Sequence, residues 1–211
     1  MQAQTISEQK REAVLAAALT EFGENGFKDT SMDRVAASAG VSKRTVYNHF
    51  PSKQALFDAI AEQLVARAQR GSELPYDRMS PLEAQLRKIA RQVLMMLTSD
   101  SFIALARVTL VEVIRSPELG RRTYELFRQR QTGLADWLEE AARDGRLAID
   151  DPVWAADQFF GLIKSFAFWP QIIGGQPAPG EVDRERIVDS TVAMFLAAHG
   201  PQPPATQTVP V

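Results

Sequence analysis

The fourteen residues from Gly40 to Lys53, GVSKRTVYNHFPSK, constrain the fold more than any other stretch of this sequence. Gly40 can adopt the positive φ that ends a helix sharply, and Ser42 can accept a hydrogen bond from the free N–H groups of the next helix. Val41 and Val46 are spaced as a hydrophobic staple, which fixes the direction in which the chain enters that helix. The stretch therefore predicts a tight turn followed by a short capped helix.

The polar residues of this short helix share one face, because Val46 and Phe50 lie four residues apart and occupy the inward face. The preceding residues 30–39 predict another short helix, with Val35 as its inward anchor. Two such helices joined by a tight turn are typical of a helix-turn-helix motif, which places its second helix in the DNA major groove. A helical hairpin whose basic residues only face solvent is the alternative interpretation.

Residues 8 to 60 resemble the DNA-binding region of the TetR family of bacterial transcriptional regulators. The residues that carry this resemblance are Phe22-Gly23, Gly26-Phe27, Thr30-Ser31, Val35-Ala36, Ala39-Gly40-Val41-Ser42, Thr45, Tyr47, His49-Phe50, Ser52-Lys53 and Leu56. The resemblance implies a three-helix DNA-binding head and a long connecting helix, followed by an all-helical body that binds a ligand and forms dimers. Phe102 to Asp151, with Ser116-Pro117-Glu118-Leu119 and Gly145-Arg146-Leu147, resembles the AefR-like branch of that family.

We expect the polar residues on the outward face of the second helix to contact DNA bases. Lys43 and Arg44 carry donors that guanine edges accept, Asn48 can pair with adenine, and Thr45 can contact a thymine methyl group. The family resemblance adds positions that contact the DNA backbone, namely Tyr47, His49, Lys53, Thr30 and Ser31. Packing or capping within the head is the alternative for the two ring-bearing residues of that group. The predicted DNA-binding residues are Thr30, Ser31, Ser42, Lys43, Arg44, Thr45, Tyr47, Asn48, His49 and Lys53.

The charge distribution supports a local DNA-binding surface on a chain that is not basic overall. The net charge is −2, yet residues 1–70 carry nine Lys and Arg against eight acidic residues. Between Val41 and Lys53 there are three positive charges and no acid, which is the local pattern that phosphate binding requires. The expected partner is double-stranded DNA.

The sequence offers little for catalysis or metal binding. It has no cysteine, and its two histidines, His49 and His199, are far apart in the chain. Acidic pairs such as Glu139-Glu140 have no set of catalytic partners. The N-terminus lacks a basic run followed by an apolar core, and no apolar stretch approaches membrane-spanning length. We expect a cytoplasmic protein that is not an enzyme and uses no metal or cofactor.

Helix start and stop signals run along the whole chain without a strand pattern, so the predicted fold class is all-α, with about nine helices. Thr5 and Glu8 are spaced as a capping box, as are Ser80 and Glu83, and one helix is expected from Ser116 to Arg143. The predicted organisation is a three-helix head (1–53), a connecting helix (54–70), an antiparallel helical bundle for ligand binding and dimerisation (71–199), and a disordered tail (200–211).

The last two predicted long helices carry apolar faces, and the aromatic one is apolar over most of its circumference, so it needs cover on more than one side. Their apolar residues, with a glycine that permits close approach, fit a two-fold four-helix interface between two copies of the chain. Ordinary monomer core is the alternative. The candidate interface residues are Phe159, Gly161, Ile163, Phe166, Ile187, Val188, Thr191 and Phe195.

Polar groups on otherwise apolar helix faces are the sequence hint of a ligand pocket. Arg107 and Arg130 each lie on an apolar stripe, and a buried arginine must be paired. Each is therefore either a structural ion pair, with Glu112 an available acid, or an anchor for an anionic or carbonyl-bearing ligand. The pocket candidates are Met95, Met96, Phe102, Arg107, Phe127, Arg130, Trp137, Phe160 and Phe168, which suit a small lipophilic or amphipathic effector. Plain core is the alternative interpretation of their apolar members.

These observations together predict a homodimeric, sequence-specific repressor that a small-molecule effector releases from a palindromic operator. The alternative is a constitutive DNA-binding regulator whose body only dimerises. Activation in place of repression depends on where the operator lies relative to a promoter, which the chain does not encode.

Overall fold

The computed structural model describes residues 5–70, 74–130 and 133–200, without the side chains of residues 129 and 130. The regular structure in these ranges is helical throughout, which confirms the predicted all-α fold class. The helices are α1 (Ile6–Asp29), α2 (Met32–Ser38), α3 (Lys43–His49), α4 (Lys53–Arg70), α5 (Leu82–Leu97), α6 (Asp100–Arg115), α7 (Pro117–Arg130), α8 (Gly133–Arg143), α9 (Pro152–Ala167), α10 (Trp169–Ile172) and α11 (Glu181–His199).

The described ranges contain eleven helical segments, two more than the predicted nine. The single helix expected from Ser116 to Arg143 corresponds to α7 and α8, and residues 131 and 132 between them lie outside the described part of the chain. The second addition is the four-residue α10, whose first turn contains Pro170, a position where proline is tolerated. Of the predicted tail, only Gly200 is described.

The first of two compact units contains the described residues up to Arg67, together with Asp100–Arg130. Within it α1 packs against α2, α3 and α6, and α6 packs against α7. An aromatic cluster of Phe22, Phe27 and Phe57 has ring centroids 5.4 to 6.4 Å apart. Because Phe57 is fully buried in α4, this cluster holds the start of α4 against the end of α1.

The second compact unit contains Ala68–Ser99 and the described residues from 133 onward. Its central helix is α9, which packs against α5, α8, α10 and α11. Phe159 of α9 meets Phe195 of α11 edge-to-face, with ring centroids 5.2 Å apart. On the surface, Arg91 of α5 pairs with Glu185 of α11 at 2.8 Å, an exposed ion pair that contributes little to stability.

The compact units divide the chain differently from the sequence-based domain boundaries. By backbone contacts α6 and α7 group with the head helices, whereas the predicted second domain begins at residue 71 and includes both helices. A β-carbon on Gly23 of α1 would stand 3.6 Å from Val108 of α6, so the two helices are in close contact. Contacts between helices so distant in sequence leave no local pattern from which they can be read.

Side-chain caps explain where some of these helices begin. The predicted box of Thr5 and Glu8 is confirmed: the Thr5 hydroxyl accepts the Glu8 N–H at 3.2 Å, and the Glu8 carboxylate accepts the Thr5 N–H at 2.7 Å. The backbone N–H and the hydroxyl of Thr5 both donate to the Glu8 carboxylate, and these two hydrogen bonds lower the pKa of Glu8. The predicted box of Ser80 and Glu83 is wrong, because the Ser80 hydroxyl donates to Asp77 and α5 begins without a side-chain cap.

Candidate nucleic-acid interface

The turn between α2 and α3 has the geometry that its sequence predicts. Gly40 adopts φ 65°, and the N–H of Val41 donates to the carbonyl of Ala36 at 3.1 Å, which closes the end of α2. Ser42 then begins α3 by accepting the N–H of Thr45 at 3.1 Å. A helix-turn-helix therefore forms from contacts local to these residues.

The two faces of α3 are chemically distinct. Val46 is fully buried, and Phe50, which ends the helix, is 3 % exposed and lies under the Arg11 guanidinium at 5.2 Å. The opposite face carries the exposed side chains of Lys43, Arg44, Tyr47 and Asn48. The inward residues fix the helix, so its outward polar row is presented on a rigid support.

Lys43 and Arg44 differ in their surroundings, although both are exposed. Lys43 forms an ion pair with Asp33 of α2 at 2.8 Å, and the hydrogen bond and charge of Asp33 raise the pKa of Lys43. Its ammonium also lies 6.0 Å from the centroid of the Tyr47 ring. Within the described residues Arg44 has no ion pair, so its guanidinium can reach an incoming base without first leaving a carboxylate.

Lys53 has a structural role that was not predicted from the sequence. Its ammonium donates to the carbonyls of Lys28 at 2.9 Å and Thr30 at 2.8 Å, and it lies 4.7 Å from the centroid of the Phe27 ring. These carbonyls belong to the end of α1, where unpaired backbone acceptors favour a cation. An ammonium has three donors, so one N–H remains for a phosphate.

Thr30 requires a correction as a predicted backbone contact. It is 2 % exposed, and its hydroxyl donates to the carbonyls of Glu21 at 3.0 Å and Gly26 at 2.8 Å. The second of these acceptors belongs to Gly26, where the chain leaves helical geometry with φ 77° and ψ 163°. The Thr30 hydroxyl therefore holds the end of α1 together and does not face solvent. Ser31 is exposed and caps α2.

The remaining predicted DNA contacts include Ser42, Thr45 and His49, and the polar groups of the first two already form hydrogen bonds within the head. The hydroxyls of Ser42 and Thr45 bond each other at 2.8 Å. His49 is half-buried, with its ring centroid 6.3 Å from that of Phe50. Asp33, which partners Lys43, was not identified from the sequence, because the ion pair joins residues ten positions apart across the turn.

The pocket candidates fall in both compact units, so neither unit brings the whole set together. Phe102, Trp137 and Phe168 are buried, whereas Met95 is 68 % exposed and therefore wrong as a pocket wall within its unit. Met96, Phe127 and Phe160 are half-buried. The Arg130 side chain lies outside the described part of the chain.

The prediction that Arg107 is buried is wrong. Arg107 is exposed, and its apolar neighbours on the predicted stripe, Val111 and Ile114, are 46 % and 80 % exposed. The buried face of α6 carries other residues, including Glu112. Both faces of α6 contain apolar residues, so the hydrophobic pattern alone selected the wrong one. Glu112 bonds Arg115 at 3.4 Å and the backbone of Phe27 at 3.2 Å.

Most of the predicted dimer-interface residues require a similar correction. Six are buried inside the second compact unit, where α9 and α11 cover each other: Phe159, Ile163, Ile187, Val188, Thr191 and Phe195. Gly161 and Phe166 remain exposed on α9. The exposed large apolar residues around them are Trp154, Trp169, Ile173, Val182 and Met194. The monomer-core alternative is correct for the six, and a different face of the same helices is left uncovered.

The described residues contain no group of three or more His, Asp or Glu side chains placed to hold a metal ion. No single helix among them is long and apolar enough to cross a membrane, and only α5 and α6 taken together meet the length and composition criteria.

A capped recognition helix with an exposed polar row, carried by an all-helical chain, defines a DNA-binding transcriptional regulator of the helix-turn-helix class. Two family models match this chain. Residues 14–60 match "Bacterial regulatory proteins, tetR family", and residues 84–201 match "AefR-like transcriptional repressor, C-terminal domain". The chain belongs to the TetR family of transcriptional regulators and carries an AefR-like C-terminal domain.

Individual relatives agree with this assignment. A TetR family regulator from Pseudomonas syringae pv. tomato str. DC3000 has a TM-score of 0.83 and 39% identity, covering 92% of this chain and 98% of that one. The structure titled "Flavonoid-responsive Regulator FrrA" has a TM-score of 0.75 and 34% identity, covering 93% of this chain and all of that one (100%). The regulator RutR of Escherichia coli (strain K12) is 26% identical over 204 residues, 92% of each chain.

Proposed function

We propose that this protein is a ligand-responsive repressor that binds a palindromic operator as a homodimer and releases it when a small effector binds. The observation that carries the proposal is the exposed row on α3, held by the fully buried Val46 and capped by Ser42. An α-helix supported in this way fits the DNA major groove.

Arg44 is the residue we assign to base recognition first. Its exposed guanidinium sits in the second position of α3, and the fork of an arginine matches the two acceptors of a guanine edge. Lys43 and Asn48 are further base readers. Lys43 breaks its ion pair with Asp33 when it binds DNA. Ser31, Tyr47, His49 and Lys53 are assigned to the phosphate backbone, where they set register.

The proposed dimer uses the exposed face of α9, α10 and α11. Phe166 is 60 % exposed on α9, and Trp154, Ile173 and Met194 add large exposed apolar side chains within the same compact unit. Gly161 is exposed between Trp154 and Phe166 along α9, with no heavy atom within 4 Å of a β-carbon built on it, so it leaves room for a partner helix. A face of this kind, repeated by a two-fold axis, produces two equivalent DNA-binding heads.

The effector is proposed to be a small lipophilic or amphipathic aromatic compound. The relative FrrA is described as flavonoid-responsive, which gives a first chemical class to test. We propose that effector binding moves α4, which begins in the head at Lys53 and ends at Arg70, beyond the boundary of the first compact unit at Arg67. Asp58 of α4 pairs with Arg122 of α7 at 3.2 Å, so a shift of α4 changes contacts inside that unit.

The test is selection of genomic DNA fragments by the purified protein at near-physiological salt, followed by sequencing. The proposal expects a shared palindrome near one or a few promoters, with half-sites spaced to place both α3 helices on one face of the duplex. Fragments without a common motif would contradict sequence-specific regulation.

The effector is tested next on that operator. Flavonoids such as naringenin and quercetin are screened by thermal shift, and those that stabilise the protein are added to an operator-binding assay. A stabilising compound that lowers operator affinity supports ligand-responsive repression. Operator affinity that stays fixed while the protein is saturated would favour the alternative, a constitutive regulator whose body only dimerises.

A further inference from the structure

Lys164 of α9 is a cation in unusually apolar surroundings for a lysine. Its side chain is partly buried, and its ammonium lies 5.5 Å from the centroid of the Phe160 ring. It forms no ion pair with the described residues, and Asp157 acts on it only through longer-range charge. Most lysines extend their ammonium into water, so a partly buried one without a carboxylate partner requires an explanation.

The surroundings of Lys164 on α9 are aromatic. Phe160 precedes it by four residues and Phe168 follows it by four, so the three share one face of the helical path, and Phe168 is 8 % exposed. Burial holds the pKa of Lys164 below its ordinary value, and the charge of Asp157 opposes this shift. The site therefore combines aromatic surfaces with a poorly hydrated positive charge.

Two further polar atoms in the same compact unit lack partners. Gln92 Oε1 on α5, an acceptor, and Trp137 Nε1 on α8, a donor, are buried without a hydrogen-bond partner among the described residues, and both helices pack against α9. Buried polar atoms in folded proteins are nearly always satisfied by protein groups, water or a ligand. Each of these atoms therefore requires a water or a polar ligand group as its partner, and each lies on a helix that contacts the helix of Lys164.

We propose that Lys164 binds the anionic group of an aromatic ligand, a carboxylate, sulfonate or phenolate, while Phe160 and Phe168 contact its rings. An anion restores to the ammonium the interactions that burial removes, and a charge-assisted hydrogen bond is about twice as strong as a neutral one. The inference deepens the proposed function and rests on it, because it names the chemical class of the effector.

The test uses two fluorescent dyes that share a ring system and differ in charge: 1-anilinonaphthalene-8-sulfonate and neutral N-phenyl-1-naphthylamine. Lys164→Met is expected to weaken sulfonate-dye binding at least about tenfold, the loss of one hydrogen bond to a charged group, while the neutral dye changes by less than about twofold. Lys164→Arg keeps the charge and is expected to retain most of the sulfonate-dye affinity. Lys88→Met removes an exposed lysine of α5 and is the matched control.

Three outcomes would overturn the assignment of Lys164: no binding of the sulfonate dye by the wild-type protein, equal losses of both dyes, or an equal loss in Lys88→Met. Circular dichroism verifies the fold of each variant, and Lys164→Arg still tests the inference if Lys164→Met does not fold. Dye binding is measured without DNA. Dye binding and operator affinity are thus separate results. If dye binding depends on Lys164 but operator affinity does not change when the ligand is bound, the binding site stands and the ligand-responsive function is rejected.

Discussion

The carboxylate of Glu112 accepts a hydrogen bond from the backbone N–H of Phe27 at 3.2 Å, and this bond ties α6 to the end of α1. The N–H is available because α1 leaves helical geometry at Gly26. Arg115 donates to the same carboxylate oxygen at 3.4 Å. A buried acid on α6 thus satisfies the backbone at the point where the head chain turns toward α2.

Glu112→Ala is expected to lower the free energy of unfolding by about 1–2 kcal/mol, because it leaves a partly buried N–H without an acceptor. Glu112→Gln retains an acceptor of nearly the same shape and is expected to cost less than half as much. Urea denaturation monitored by circular dichroism measures both variants. Equal losses in the two would show that the charge of Glu112, rather than the hydrogen bond to Phe27, stabilises this junction.

Gly40→Ala is expected to destabilise the head by about 1–2 kcal/mol, because φ 65° is a left-handed conformation that a β-carbon disfavours. No heavy atom lies within 4 Å of a β-carbon built at Gly40, so the penalty is conformational and not steric. Gly40→Asn should lose less stability than Gly40→Ala, since asparagine tolerates the left-handed conformation better. Thermal unfolding of the three proteins compares them, and an unaffected Gly40→Ala variant would contradict the argument.

Arg44→Ala is expected to cost about 1–3 kcal/mol of binding free energy at one operator base pair, the value of a bidentate contact with guanine. Arg44→Lys keeps the charge but loses the planar fork, so it should retain affinity for random DNA and lose discrimination at that base pair. Fluorescence anisotropy with the operator and with single-base variants measures both. Equal losses on operator and random DNA would remove Arg44 from base recognition.

Lys53→Ala is expected to weaken binding to all DNA sequences alike and to reduce the slope of log affinity against log salt by about 0.9, the value of one phosphate contact. The variant should also unfold more easily, because the ammonium bonds the carbonyls of Lys28 and Thr30. Salt titrations are therefore made well below the unfolding temperature of the variant. A lower stability with an unchanged salt slope would leave Lys53 with its structural role alone.

Lys164→Met is expected to raise the free energy of unfolding at neutral pH by about 1 kcal/mol, because it replaces a poorly hydrated charge with an apolar chain. The pKa of Lys164 is lowered in the folded protein, so between that pKa and the ordinary lysine value the unfolded state binds more protons. Wild-type stability should therefore rise with pH through this window, and the advantage of the variant should shrink. Urea titrations at several alkaline pH values, with Lys88→Met as control, test whether the free energy of unfolding of the wild type rises with pH.

Local structure was the part that the sequence could predict. The turn at Gly40, the cap at Ser42 and the buried Val46 depend on neighbouring residues, and all three are found where the spacing predicts them. The capping box of Ser80 failed because its hydroxyl has a competing acceptor in Asp77. Local rules succeed where no other partner competes.

The identity of the groups that cover an apolar face was beyond sequence reasoning. The spacing of Phe159 and Val188 showed correctly that they are buried, but not that α9 and α11 of the same chain bury them. For Arg107, apolar residues on both sides of α6 made the buried face ambiguous. Thr30 is buried with its hydroxyl bonded to the carbonyls of Glu21 and Gly26, and the residue pattern did not show that the hydroxyl turns inward.

The first compact unit is assembled from two separate segments, residues up to 67 and residues 100–130, and this restricts how such proteins can exchange parts. A single recombination event near residue 67 would join a foreign α1 to the resident α6 and mismatch surfaces such as Gly23 against Val108. A functional chimera must carry both segments. In a lineage built this way, we expect new operator preferences to arise by substitutions on α3 more readily than by exchange of whole heads.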